Sequence, residues 1–202
     1  MGDENPNKKN KIIIIVIVLV FIAPSILSWY IFNHTDYLES RGTSNYGQII
    51  TPPIQLENLS LIDPLDTQRM DTLYGKWSMI YVAELCDDIC MQNVYRMRQI
   101  HIGMGKHSLR VQKVLFLIDQ DLDELSSLLA NYKGQQVIST NTIDIDILLE
   151  KFRIKNIKDP SRSQRIYISD PLGNLMMSYP PNINPKGILK DLKKLLRTSR
   201  IG

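Results

Sequence analysis

Two cysteines, the only ones in the 202-residue chain, stand in the run Cys86-Asp87-Asp88-Ile89-Cys90. Thiols at this spacing can exchange a disulfide with a partner, hold a soft metal ion, or close a permanent staple. The staple is the weakest use, because closing so short a loop removes little chain entropy. Residues i and i+4 on a regular helix keep their Cβ atoms about 5–6 Å apart, whereas a disulfide needs about 3.8 Å. Cys86 is therefore expected in a loop or at a helix cap, and Cys90 in the first helical turn. By analogy with dithiol exchange, Cys86 is the exposed attacking thiol and Cys90 the resolving one. Unpaired N–H groups at the helix start favour a thiolate. Asp87 and Asp88 oppose it, while suiting the first turn as caps. Their charges predict a thiol less acidic than in the strongest oxidases.

The elements that must position this pair follow from hydrophobic patterning. Residues 77–83, Trp-Ser-Met-Ile-Tyr-Val-Ala, read as a buried central strand. A helix is expected from 87 to about 102, with Ile89, Val94, Met97 and Ile100 inward. A strand follows at 114–118. Next comes a helix at 121–132 with Leu122, Leu125, Leu128 and Leu129 on one stripe. A third strand is expected at 136–139 and a helix at 142–152. Residues 165–169 and 175–179 flank Asp170-Pro171-Leu172-Gly173-Asn174, a hairpin turn. Pro185 opens a last helix carrying Ile188, Leu189, Leu192, Leu195 and Leu196. Residues 55–62 alternate weakly as a short leading strand. This order predicts an α/β domain, a central mixed sheet flanked by helices.

Ahead of the domain, residues 12–32 carry no charge. As a helix they reach roughly 30 Å, the thickness of a bilayer's hydrocarbon core. Trp29 and Tyr30 sit where amphipathic rings favour the interface. Lys8, Lys9 and Lys11 precede the run, so the tail 1–11 is expected in the cytoplasm and everything after residue 33 across the membrane. Ala23-Pro24-Ser25 resembles a cleavage site, but the apolar continuation to Phe32 favours an uncleaved, single-pass anchor. Residues 33–54 read as a linker, with Arg41-Gly42-Thr43-Ser44 and Pro52-Pro53 and no apolar periodicity. The folded domain is then 55–202, one core's worth of chain.

A formal charge of +3 is too small to argue for nucleic acid. Much of it lies at Lys186, Lys190, Lys193, Lys194, Arg197 and Arg200, the solvated face of the last helix. His34, His101 and His107 read as ordinary surface residues, and Met104 as core filler. Asp144 and Asp146 read as a solvated face. No Gly-rich phosphate loop and no Ser/His/Asp arrangement is present.

The runs Leu73-Tyr74-Gly75-Lys76-Trp77-Ser78-Met79-Ile80-Tyr81, Cys86-Asp87-Asp88-Ile89-Cys90 and Arg165-Ile166-Tyr167-Ile168-Ser169-Asp170-Pro171-Leu172-Gly173 resemble the Sco/SenC proteins. The likeness covers about residues 56–197 and the anchor. It implies a thioredoxin-like fold and a part in assembling the copper site of cytochrome c oxidase. The partner it implies is the oxidase's copper-bearing subunit or its assembly factors. In that family two cysteines and a distant histidine bind copper; Cys86 and Cys90 match the cysteines. The histidine falls a few residues before the Ile-Tyr strand, where this chain reads Asp159-Pro160-Ser161-Arg162-Ser163-Gln164-Arg165. The third ligand is missing, and the adjacent soft donor is Met91, where the family commonly has proline. The leading expectation is a membrane-anchored thiol–disulfide reductase or redox accessory factor that needs no cofactor. The alternatives are a copper(I) metallochaperone using Cys86 and Cys90, and a non-catalytic docking module. Without an Arg- and Ser-rich transit peptide, a bacterial inner membrane with the domain in the periplasm is expected.

Overall fold

The computed structural model describes residues 6–34, 44–56, 59–119, 122–138, 145–154 and 157–199. The chain divides into two compact units, Met1–Ser44 and Asn45–Gly202.

In the first unit one helix, α1 (Pro6–His34), contains the expected apolar run. Its segment Asn10–Ile31 has a mean hydropathy of 2.9 and is long and apolar enough to cross a membrane. Ile, Val, Leu and Phe side chains stand exposed all round it, which water does not tolerate and lipid does.

The second unit is built on one eight-stranded mixed sheet. In chain order the strands are β1 (Gln48–Gln55), β2 (Ser60–Asp63), β3 (Asp66–Thr72), β4 (Trp77–Ala83), β5 (Val111–Leu117), β6 (Gln135–Ile138), β7 (Ile166–Ser169) and β8 (Asn174–Tyr179). Across the sheet they run β1-β8-β7-β4-β5-β6-β2-β3. β4, β5 and β6 are parallel, and β7 pairs antiparallel with β4 in the register Ile80 to Tyr167. The helices are α2 (Asp88–Gly103), α3 (Leu122–Leu129), α4 (Ile145–Phe152) and α5 (Pro185–Thr198), with a 3-10 turn at Gly105–Arg110.

β4 is buried at every residue, as its unbroken apolar run requires of a strand covered on both faces. Trp77, Met79 and Tyr81 face one core with Val94, Met97 and Ile100 of α2 and Ile188, Leu192 and Leu196 of α5. Ile80 and Val82 face the other core, with Phe116, Tyr167 and Leu148 and Phe152 of α4. The sheet thus holds the end of β4 rigid from both sides, and α2 starts from that fixed point.

The domain begins earlier than 55. Residues 48–54, expected as linker, belong to β1, which pairs with β8. Pro52-Pro53 concealed it, since prolines cannot donate to a ladder. An edge strand tolerates them, and the pairing with β8 is irregular between Ile49 and Ile54. The linker residues 35–43 lie outside the described residues. The leading strand expected at 55–62 resolves into the last residue of β1 and the first three of β2. β3, Asp-Thr-Gln-Arg-Met-Asp-Thr, was not foreseen, being a polar edge strand without apolar alternation.

Two inward faces also differ from expectation. Ile89 is 42% exposed, and Cys90 and Asn93 take the buried positions on α2's first turns. Leu128 is exposed while Leu125 and Leu129 are buried. The start of the helix expected at 142, including Asp144, lies outside the described residues; Asp146 is exposed on α4. The hairpin stands as expected. Asp170 accepts from the backbone of Leu172 and Asn174, and Gly173 takes φ +80° in the turn, a conformation open to glycine.

Candidate functional site

Glu84, Leu85, Cys86 and Asp87 connect β4 to α2. Asp87 is the N-cap: its backbone is extended, and its Oδ1 accepts a 2.9 Å hydrogen bond from the N–H of Cys90. Its own carbonyl accepts from the N–H of Met91 at 2.9 Å, closing the first turn. One aspartate therefore fixes where Cys90 sits. Cys86 lies one residue before the cap, outside the helix, so the two residues escape regular helical spacing. Their Cα atoms are 4.9 Å apart and their sulfurs are joined in a disulfide.

The pair is asymmetric. Cys90 keeps 1% of its surface and Cys86 9%, both within the core that α2 shares with the sheet. Cys86 is the more accessible residue of the two, but it is less open than the word exposed implies. Its bulk is covered from below by the core and at the side by Met91, whose Sδ lies 3.7 Å from Cys86 Sγ.

Residues flanking the pair, though neither cysteine itself, line an open cleft of about 270 Å³. One wall is Tyr81, Glu84, Leu85, Asp87 and Ile89; the other is Ser161, Arg162 and Gln164. Leu85 and Ile89 present apolar surface there, at 54% and 42% exposure. Arg162 donates from Nε to Glu84 Oε2 at 2.9 Å, tying the two walls together. Gln164 adopts φ +54°, a left-handed conformation that is uncommon in a residue with a side chain. Tyr81 is a buried member of its wall. Burial raises the pKa of its phenol, Asn93's hydrogen bond partly offsets this and the Asp87 charge adds to it, so the hydroxyl remains protonated at neutral pH.

The histidines do not join this site. His101 stands eleven residues along α2 from Cys90, about 16 Å of helix. It is half-buried, not the surface residue expected, and its Nε2–H donates to the Val111 carbonyl at 2.9 Å, pinning the end of α2 to β5. Burial first, then the Lys113 ammonium, lowers its pKa and keeps the ring neutral. His107 lies in the 3-10 turn and His34 at the end of α1. Met104 is buried core, as expected. Among the described residues no three of His, Cys, Asp and Glu cluster to hold a metal.

The two cysteines were legible from spacing. Glu84, Arg162, Gln164 and Tyr81 were not singled out. The 159–165 segment lacks a histidine, and nothing in the chain announces that Arg162 reaches Glu84, 78 residues away. The one signal was position, a polar segment leading into a strand that pairs with β4.

Residues 77–199 match the family model described as a transmembrane-like, thioredoxin-like, C-terminal domain. No curated protein matches the chain. Solved structures share its fold. Yeast Sco1 with copper bound is 18% identical, with a TM-score of 0.57 over 73% of this chain and 91% of that one. A SCO1/SenC family lipoprotein from Bacillus anthracis str. Ames is 15% identical, with a TM-score of 0.53 over 72% and 98%. BsSco, a Sco family cytochrome c oxidase assembly protein in which a disulfide switch is identified, is 15% identical, with a TM-score of 0.54 over 73% and 96%. At these identities the likeness is one of fold.

Proposed function

The chain belongs to the transmembrane-like, thioredoxin-like C-terminal domain family, and from that premise we propose that it is a membrane-anchored thiol–disulfide reductase acting in the assembly of a cytochrome c oxidase copper site. The observation that carries this is the Cys86–Cys90 disulfide at the junction of β4 and α2, beside a cleft with apolar lips. A Sco protein with a disulfide switch shares the fold, which supports a redox use of the pair. The apolar α1 and a lipoprotein of the same fold support membrane attachment. We place the domain in the periplasm of a bacterial inner membrane, on the lysines before the span.

In the reducing direction the Cys86 thiolate attacks one sulfur of a partner's disulfide, forming a mixed disulfide and releasing the other partner sulfur as a thiolate. Cys90 loses its proton to solvent and attacks Cys86 Sγ. The partner's second sulfur leaves as a thiolate, and the Cys86–Cys90 disulfide remains. One partner disulfide is reduced and one protein dithiol is oxidised; a dithiol reductant restores the starting state. Asp87 holds Cys90 on the first turn for the second attack, and the cleft receives the partner's chain.

Copper(I) delivery is the second reading, favoured by the copper-bound yeast structure of the same fold. The residues fit copper(I) in part. The two sulfurs are soft donors of the right kind, and the 159–165 segment offers no imidazole.

Cys90→Ser, expressed in its native membrane, is expected to trap a partner as a covalent adduct on Cys86 that dissolves under reductant. No adduct would count against exchange. Full oxidase assembly with Cys86→Ser/Cys90→Ser would leave only a docking role.

A further inference from the structure

We infer that Met91 is the third ligand of a copper(I) site made wholly of sulfur, taking the place of the absent imidazole. The inference rests on the copper(I) reading of the cysteine pair and adds a residue that the pair alone does not supply.

One edge of such a site is already in place. Met91 Sδ lies 3.7 Å from Cys86 Sγ. Metal–thiolate bonds of about 2.3 Å put the sulfurs of a planar three-coordinate site about 4 Å apart. Two of the three edges of such a triangle involve Cys86, and one of them is present in the oxidised chain. Reduction supplies the other, since two thiols freed from the disulfide move from bonding distance to contact distance. Met91 is held where it is by its N–H to the Asp87 carbonyl, on the same first turn that the Asp87 cap fixes through Cys90. Its side chain is partly buried and packs against the core cluster to which both cysteines belong.

Three candidate oxygen and nitrogen donors are engaged elsewhere. Asp87 Oδ1 is the helix cap, and Glu84 accepts from Arg162. His101 donates to Val111 at the far end of α2. Thiolates and a thioether without an imidazole select a soft monovalent ion over a divalent one that prefers nitrogen and oxygen. Binding is balanced: one copper(I) ion enters, the two thiol protons leave to solvent, and copper keeps its oxidation state. The disulfide must first be opened by a dithiol reductant, which becomes oxidised.

The experiment titrates the reduced full chain in detergent with copper(I), without oxygen, against a chromogenic copper(I) chelator. X-ray absorption counts the sulfurs on the metal. The wild type is expected to bind one ion through three sulfurs. Met91→Leu, which conserves volume, is expected to lose at least about tenfold in affinity and one sulfur. Met91→His should restore the affinity with one nitrogen in place of that sulfur. Wild-type affinity and three sulfurs in Met91→Leu would overturn the inference. So would a wild type that fails to bind copper(I) while Cys90→Ser still traps partners, an outcome that leaves thiol exchange standing. Three-sulfur binding without any trapped partner would support the inference and count against exchange.

Discussion

Arg162 and Glu84, 78 residues apart in sequence, meet across the mouth of the cleft, with Nε and Nη2 both 2.9 Å from the same carboxylate oxygen. The pair joins the loop that carries Cys86 to the segment before β7. Both side chains are well exposed, at 72% and 48%, so the contact is screened by water and closes the rim without bracing the fold. Arg162→Ala is expected to cost less than about 1 kcal/mol in urea denaturation. A loss above about 2 kcal/mol would make the pair structural.

Asp87 does two jobs that substitution can separate. Asp87→Asn keeps an acceptor for the Cys90 N–H and removes a charge beside the thiols, so the fold should hold while the reduced chain is alkylated by a neutral reagent a few-fold faster. Asp87→Ala removes the acceptor as well and is expected to cost about 1 kcal/mol. Equal alkylation rates in wild type and Asp87→Asn would show that the carboxylate is not felt by the sulfur.

The start of the domain hangs on one buried carboxylate. Asp191 of α5 accepts from the backbone N–H of Tyr46 and Gly47 at 2.8 and 3.0 Å and from the Tyr179 hydroxyl at 3.1 Å. Asp191→Ala leaves these donors without an acceptor and is expected to cost about 3 kcal/mol, with faster amide exchange at Tyr46 and Gly47. Gly47→Ala should act at the same place, because an added Cβ would lie 2.6 Å from the Tyr179 ring. Unchanged exchange at both amides would dismiss this attachment.

His101 gives the fold a pH dependence of defined sign. Its folded pKa is lowered by burial and by Lys113. As pH falls below the ordinary value of about 6.5, the unfolded chain takes up this proton first. Stability present above that pH is therefore lost as pH falls toward the folded value. The urea midpoint should drop between pH 7 and pH 5 by more in wild type than in His101→Gln, which still donates to Val111. Parallel pH profiles would contradict it.

Much of this architecture was readable in the residues. β4 was found at its full extent because seven consecutive buried positions leave a plain apolar signal. The hairpin was found because Pro171 and Gly173 mark its turn, and α5 because Leu192 and Leu196 repeat at helical spacing. β1 and β3 escaped for one reason: edge strands need not be apolar and can carry proline or charge. The site divides in the same way. Cys86 and Cys90 are local and were placed by geometry of spacing. The cleft wall is long-range, made when β7 pairs with β4 and brings Arg162 to Glu84, and no local pattern encodes that meeting. Cys86 is less open than expected because it belongs to the core cluster and Met91 Sδ lies 3.7 Å from its sulfur.

The proposed function requires that the Cys86–Cys90 bond open and close in the folded protein. The direct measurement equilibrates the full chain in detergent with graded mixtures of reduced and oxidised glutathione, then quenches with acid and reads each cysteine by mass spectrometry. The prediction is a reversible two-electron transition in the native fold, with the glutathione adduct at intermediate ratios found on Cys86. A bond that yields only after denaturation, or an adduct confined to Cys90, would contradict the account.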